Sequence, residues 1–210
     1  GEGSQNYVDI AKKSAKEESG RLYKVAAEGM PDQLTLFDAK SLRNEAKKIL
    51  DEKSGKLSTL PKGMEDDLKS IVNEAQGVSW DKLHGFQSDH GATAESLKRA
   101  NNGFTNVESS IHTRLKHAAR QDMERRATDI GGDFLEKYQT AKAFYKDYRN
   151  TFDNDTIRRF LNSKPDRAYD MFFKNGSVED LRRLRGILGP EGMRPIRTKM
   201  VEEILAPKVG

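Results

Sequence analysis

From Val107 to Phe152, apolar side chains return every third or fourth residue, through Ile111, Leu115, Ala118, Ala119, Met123, Ala127, Ile130, Phe134, Tyr138, Ala141, Tyr145 and Tyr148. That period traces one stripe of an α-helix; a strand would need strict alternation. A stripe of this length constrains the fold. About 45 helical residues run about 67 Å at a rise of 1.5 Å per residue, longer than a compact domain of this chain's 210 residues is wide. The spacing predicts an elongated helical body over about 105–152. Only Gly131-Gly132 intrudes, at about 1 kcal/mol per glycine relative to alanine. The body is therefore either one long helix with a flexible joint or two helices meeting at that pair.

The remaining sequence also reads as helices. A first helix over 5–28 stops at Gly29, with Met30-Pro31 behind it. A second starts at Asp38 as N-cap and buries Leu42, Ala46, Ile49 and Leu50. A third spans about 64–76. Ser79 opens a short helix to about Ser88, with Trp80, Leu83 and Phe86 as core anchors. His90-Gly91 reads as a break followed by a restart, and Asn101-Asn102-Gly103 as a second interruption.

After Phe152 come short capped segments. Asp153-Asn154-Asp155 leads one, Ser163 to Asp166 the next, and Ser177 to Asp180 resembles a capping box with aspartate in the glutamate position. Gly189-Pro190 breaks before a final helix over about 191–205. No stretch alternates as a strand. The fold class is all-α: an elongated helical body with one or two long helices (about 105–152) and a compact C-terminal set of short helices. The expected organisation is N-terminal helices in 1–90, a long-helix body in 91–152 and a small helical subdomain in 153–210.

Composition fits thin, one-sided burial. Only 35% of residues are hydrophobic and 33% are charged, against about 45–50% apolar with glycine in ordinary globular domains. The absence of cysteine excludes disulfides and thiolate metal sites. No run approaches the roughly 20 apolar residues of a membrane-spanning helix. The chain opens Gly-Glu-Gly-Ser without an initiator methionine, which reads as a piece of a longer protein.

The net charge of +4 is uneven. Residues 1–100 carry 16 Lys+Arg against 17 Asp+Glu, and residues 101–210 carry 21 against 16. Arg182, Arg183, Arg185, Arg194, Arg197 and Lys199 form the densest basic cluster and the candidate patch for an anionic ligand or nucleic acid. The bland alternative is a solvated face, with these arginines paired to Glu179, Asp180, Glu202 and Glu203.

Little else points to chemistry. His112 and His117 lie about 140° apart around a helix and cannot clamp one metal together, and no ligand set accompanies Asp89-His90. Phosphate loops and the G-x-S-x-G elbow are absent from the sequence. Glu28, Glu95 and Glu108 are the glutamates a helical cell-wall hydrolase would need, but each sits among polar neighbours. The aromatic run Phe134, Tyr138, Phe144, Tyr145, Tyr148 and Phe152, interleaved with Lys137, Lys142, Lys146 and Arg149, reads as a helix–helix seam edged by basic side chains. Stacking on single-stranded nucleic acid is its rival. No catalytic residue, metal or cofactor is implied.

Three stretches carry a resemblance: Val78-Ser79-Trp80-Asp81-Lys82-Leu83; Tyr138 to Asp147 with Phe152 and Asp155-Thr156-Ile157; and Met171 to Leu184. Together, over about 78–190, they resemble a helical segment of large tailed-phage and prophage internal virion proteins, of the ejection or minor structural type. Gly91 to Gly103 departs from that pattern as an insertion. The resemblance implies a non-enzymatic structural or interaction module assisting genome ejection, located in the virion or, during assembly, in the host cytoplasm. Its implied partners are other virion proteins, or a second copy along the long helix. It supplies no site residues. The alternatives are a peptidoglycan hydrolase-associated domain and a DNA-binding module using the arginine-rich C-terminal helices.

Overall fold

The computed structural model describes residues 2–30, 35–55, 60, 63–100 and 103–205, and among them the chain is all-α. The helices are α1 (Glu2–Glu28), α2 (Lys40–Gly55), α3 (Met64–Glu74), α4 (Trp80–Ala100), α5 (Gly103–Ile130), α6 (Gly132–Phe152), α7 (Asp155–Asn162), α8 (Pro165–Tyr169, continuing into a π-helical turn at Asp170–Lys174), α9 (Val178–Gly192) and α10 (Arg194–Leu205). The strand-like feature among the described residues is an isolated antiparallel bridge, in which Phe37 and Val78 exchange two backbone hydrogen bonds of 3.0 Å. The chain divides into two compact units, one of residues 26–136 and one joining 1–25 to 137–210.

In the 26–136 unit, α4 and α5 pair along their lengths. His90 meets His112, and one turn on the Ser109 hydroxyl donates to the Ala94 carbonyl at 2.9 Å. As one number rises the other falls, so the helices run antiparallel. The α5 stripe is buried as its period requires: Leu115, Ala119, Met123 and Ala127 are fully enclosed, and Ile111 and Ala118 nearly so. Leu42, Ala46 and Ile49 of α2 and Met64 and Leu68 of α3 complete the core. Each large side chain so enclosed contributes roughly 1.5–3 kcal/mol. Trp80 and Leu83 anchor α4 as expected, and the Trp80 ring stands edge-on to Phe134 at 5.0 Å. Phe86 is only partly buried.

Two local expectations are corrected in this unit, and an open alternative is decided. α4 is unbroken at His90-Gly91. A β-carbon on Gly91 would sit 3.3 Å from the Lys116 side chain, so the glycine serves close approach to α5. α2 begins at Lys40 rather than at an Asp38 cap; the Asp38 carboxylate pairs instead with Arg43 at 2.9 Å. The long stripe is two helices, because Gly131 takes the left-handed conformation (φ 65°) that disfavours a β-carbon at a helix end. The Gly131 N–H still donates to Ala127 at 2.9 Å, closing α5. Asn101-Asn102 lies outside the described residues.

In the other unit, Val8 of α1 sits with Ile157 and Phe160 of α7, Ala168 and Tyr169 of α8, Phe172 of the π-helical turn, Leu184 and Leu188 of α9, and Ile196 of α10 in one buried cluster. Phe160 and Phe172 meet edge-to-face at 5.6 Å. The caps read from sequence are present: the Asn154 side chain accepts from the Ile157 N–H, and Ser177 from the Asp180 N–H. The Gly189-Pro190 break is a kink, with Gly189 at φ 60° and ψ −169°. The helical run resumes at once through Gly192, so the final separate helix starts at Arg194 rather than 191. The aromatic seam forms through a partner that the periodicity did not supply. Tyr23 of α1 packs edge-on against Tyr138 and Tyr145 of α6, at 6.3 and 6.4 Å.

Candidate functional site

The basic cluster splits in two. Around Asp180, at the start of α9, arginines are matched with carboxylates. Arg183 pairs with Glu179 at 2.7 Å, Arg159 of α7 approaches Asp180 at 3.6 Å, and Thr156 donates to Asp180 at 2.5 Å. The Thr156 hydroxyl bond, together with the arginine field, lowers the Asp180 pKa below its ordinary 3.8. Arg182, Arg185, Arg194 and Arg197 are different: all four are exposed, and among the described residues none has an ion-pair partner. Arg182 and Arg185 sit one turn apart on α9, off the face that buries Leu184 and Leu188. Arg194 and Arg197 sit one turn apart on α10, where the same unit buries Ile196. The Lys199 side chain lies outside the described residues. The shallow recess of about 560 Å³ lined by Asp155, Arg158, Arg159, Asn162 and Ser163 has its two arginines already engaged, Arg158 with Asp155 at 2.5 Å and Arg159 as above.

Elsewhere the buried charges have structural tasks. Asp122 of α5, fully enclosed, accepts the backbone N–H groups of Ser41 and Leu42 at 3.0 and 2.8 Å and pairs with Arg125 at 2.5 Å. Arg114 of α5 bonds Glu45 at 2.5 Å and grips Glu52 with two nitrogens at 2.7 and 3.0 Å, tying α2 to α5. That bidentate grip lowers the Glu52 pKa.

No family model, curated protein or solved structure matches the chain. Its functional reading therefore rests on its own residues. Among the described residues no group of three or more His, Asp or Glu side chains is arranged to hold a metal ion, and no helix is long and apolar enough to cross a membrane. Glu28 is exposed, and Glu95 and Glu108 are half-buried; none has the enclosed, apolar setting that keeps a general-acid carboxyl protonated.

The constellation that sequence reading missed is a histidine pair. His90 of α4 and His112 of α5 place their Nδ1 atoms 2.6 Å apart, and the Phe86 ring covers His90 at 4.0 Å. Burial, then the facing His112, pushes His90 down to about 4, and burial also lowers His112 and His84. The available signal was the antiparallel pairing. It sets residue 90 of α4 opposite residue 112 of α5, whereas the sequence reading compared His112 only with His117 on its own helix.

Proposed function

We propose that the chain is a non-enzymatic structural and interaction module, of the virion-protein kind that residues 78–190 resemble. It works through contacts with other virion proteins or with a second copy of itself. One observation carries the reading: apolar side chains stand in pairs a helical turn apart on exposed faces. Tyr7 and Ile10 on α1 are 45% and 57% exposed, and Val201 and Leu205 on α10 are 53% and 74% exposed. Single exposed apolar residues are common on any surface. Paired at i,i+3 and i,i+4, they make a strip that a partner helix covers. Light scattering over a concentration series tests the self-association arm. Mass should rise with concentration in the native chain and stay monomeric in a variant carrying Ile10→Glu and Val201→Glu. Clearing of a cell-wall zymogram that vanishes when one glutamate becomes glutamine would replace this reading with the hydrolase.

A second reading, binding of nucleic acid, is favoured by the four exposed arginines Arg182, Arg185, Arg194 and Arg197, which have no ion-pair partner among the described residues. Gel-shift titration decides it: phosphate contacts must weaken steeply as salt rises, and substituting Arg182, Arg185, Arg194 and Arg197 by glutamine must abolish the shift.

A further inference from the structure

Two imidazole nitrogens 2.6 Å apart, as the Nδ1 atoms of His90 and His112 are, share one proton. One ring donates its N–H and the other offers its lone pair. The contact is compatible with two neutral rings, or with one imidazolium donating to one neutral ring. It cannot exist between two imidazoliums, which have no lone pair to offer. The surroundings leave little room for the rings to part. Ring centroids are 4.8 Å apart, Phe86 lies against His90, Gly91 meets the Lys116 side chain, and Ser109 ties to Ala94 a turn away.

We propose that the His90–His112 pair is an acid-sensitive latch between α4 and α5. Near neutral pH the shared proton ties the two helices. Placing a charge on each ring breaks the Nδ1–Nδ1 bond and sets two like charges against each other inside a packed seam, which loosens α4 from α5.

The charged groups facing the pair set the order of events. Glu108 of α5 stands 3.9 Å from His112 Nε2, and Asp67 of α3 also bears on His112; both favour a proton there. On α4, Asp89 favours a proton on His90, while burial and the facing His112 oppose it more strongly. Lys116 of α5, at Gly91, adds positive charge to the same seam. The first charge therefore belongs on His112 and the resisted second on His90. Because the His90 pKa falls from 6.5 to about 4, the folded chain binds fewer protons than the unfolded chain between those values. The pair's contribution to stability is complete above the ordinary histidine range and declines as pH falls through that window.

The test is an NMR titration of the histidine rings in the full chain, alongside amide hydrogen exchange corrected for intrinsic rates. The His90 ring should stay neutral until the pH approaches about 4. Exchange protection in α4 and the facing part of α5 should fall as pH drops from 6.5 toward about 4, while α7 to α9 keep theirs. Histidine-to-glutamine changes at His90 or His112 should flatten that pH dependence; the same change at the exposed His117 should not. If either variant fails to fold, the native chain alone decides. Both rings titrating independently near 6.5, or protection lost in all helices at once, would overturn the latch.

Discussion

The Asp122 carboxylate accepts the Leu42 backbone N–H at 2.8 Å, across 80 positions of sequence. With the Ser41 N–H at 3.0 Å, these are the two donors a local N-cap side chain satisfies at the start of a helix. The residue before Lys40 is Ala39, which is buried and has no side-chain oxygen to offer. An α5 side chain does for α2 what its own sequence cannot, so α2 is completed only when α5 is in place.

Replacing Asp122 by alanine leaves both N–H groups and the Arg125 guanidinium without that acceptor. The loss should be roughly 2–4 kcal/mol, combining a missing cap with buried donors left unpaired. For a chain of this size that lowers Tm by about 2–4 °C per kcal/mol. Asp122→Asn keeps one acceptor oxygen and should lose less. A thermal melt of the two variants checks the order; equal losses would mean that the charge, rather than the cap, matters.

The other unit shows the same device at the opposite helix end. The Gln5 amide donates to the Phe160 and Ser163 carbonyls at 2.5 and 2.7 Å, and the buried Ser4 hydroxyl donates to the Gly192 carbonyl at 3.0 Å. The start of α1 thus satisfies carbonyls at the ends of α7 and α9 that would otherwise lack partners. Ser4→Ala and Gln5→Ala should each cost about 1–2 kcal/mol. Limited proteolysis should then cut within 153–205 sooner than in the native chain.

These remote caps mark the limit of what the sequence discloses. The α5 stripe, the Asn154 and Ser177 caps and the end of α1 at Gly29 were legible, because period, cap and stop signals lie within a few residues of what they govern. The Asp38 cap was misplaced because the deciding carboxylate belongs to α5. The break at Gly91 was misread because a glycine admitted for close approach looks, in sequence, like one that ends a helix. The histidine pair was invisible while each helix was read alone. The C-terminal arginines read as one cluster in sequence, but which of them meet a carboxylate depended on where Glu179 and Asp180 fall.

Acid should act in two ranges. Glu52, gripped by Arg114, and Glu74, bonded by Lys82 and Ser70, both have pKa values below their ordinary 4.5, and Asp180 lies below 3.8. For a carboxylate lowered in the fold, the unfolded chain takes up protons first. This stabilisation is present above the ordinary carboxylate pKa and is lost as pH falls through the folded value. Glu52 and Glu74 are half-exposed and Asp180 is partly exposed, so solvent screening keeps each contribution small. Tm against pH should therefore decline first below about 6.5 through the histidines, then again below about 4.5. Glu52→Gln should soften only the second decline.

Arginines of the two kinds should respond oppositely. Arg114 holds Glu45 and Glu52 and is 29% exposed; its removal leaves two carboxylates of α2 without their shared donor. Arg114→Ala should cost about 1–2 kcal/mol, at the lower end for charge-assisted bonds because Glu52 is half-exposed. Arg182, Arg185, Arg194 and Arg197 have no ion pair to lose among the described residues, and surface changes of that kind stay within about 0.5 kcal/mol each. A variant with all four changed to glutamine should melt within a few degrees of the native chain while binding heparin-like polyanions more weakly. A large fall in Tm for that variant would show that these side chains support the fold, and would remove them as a docking surface.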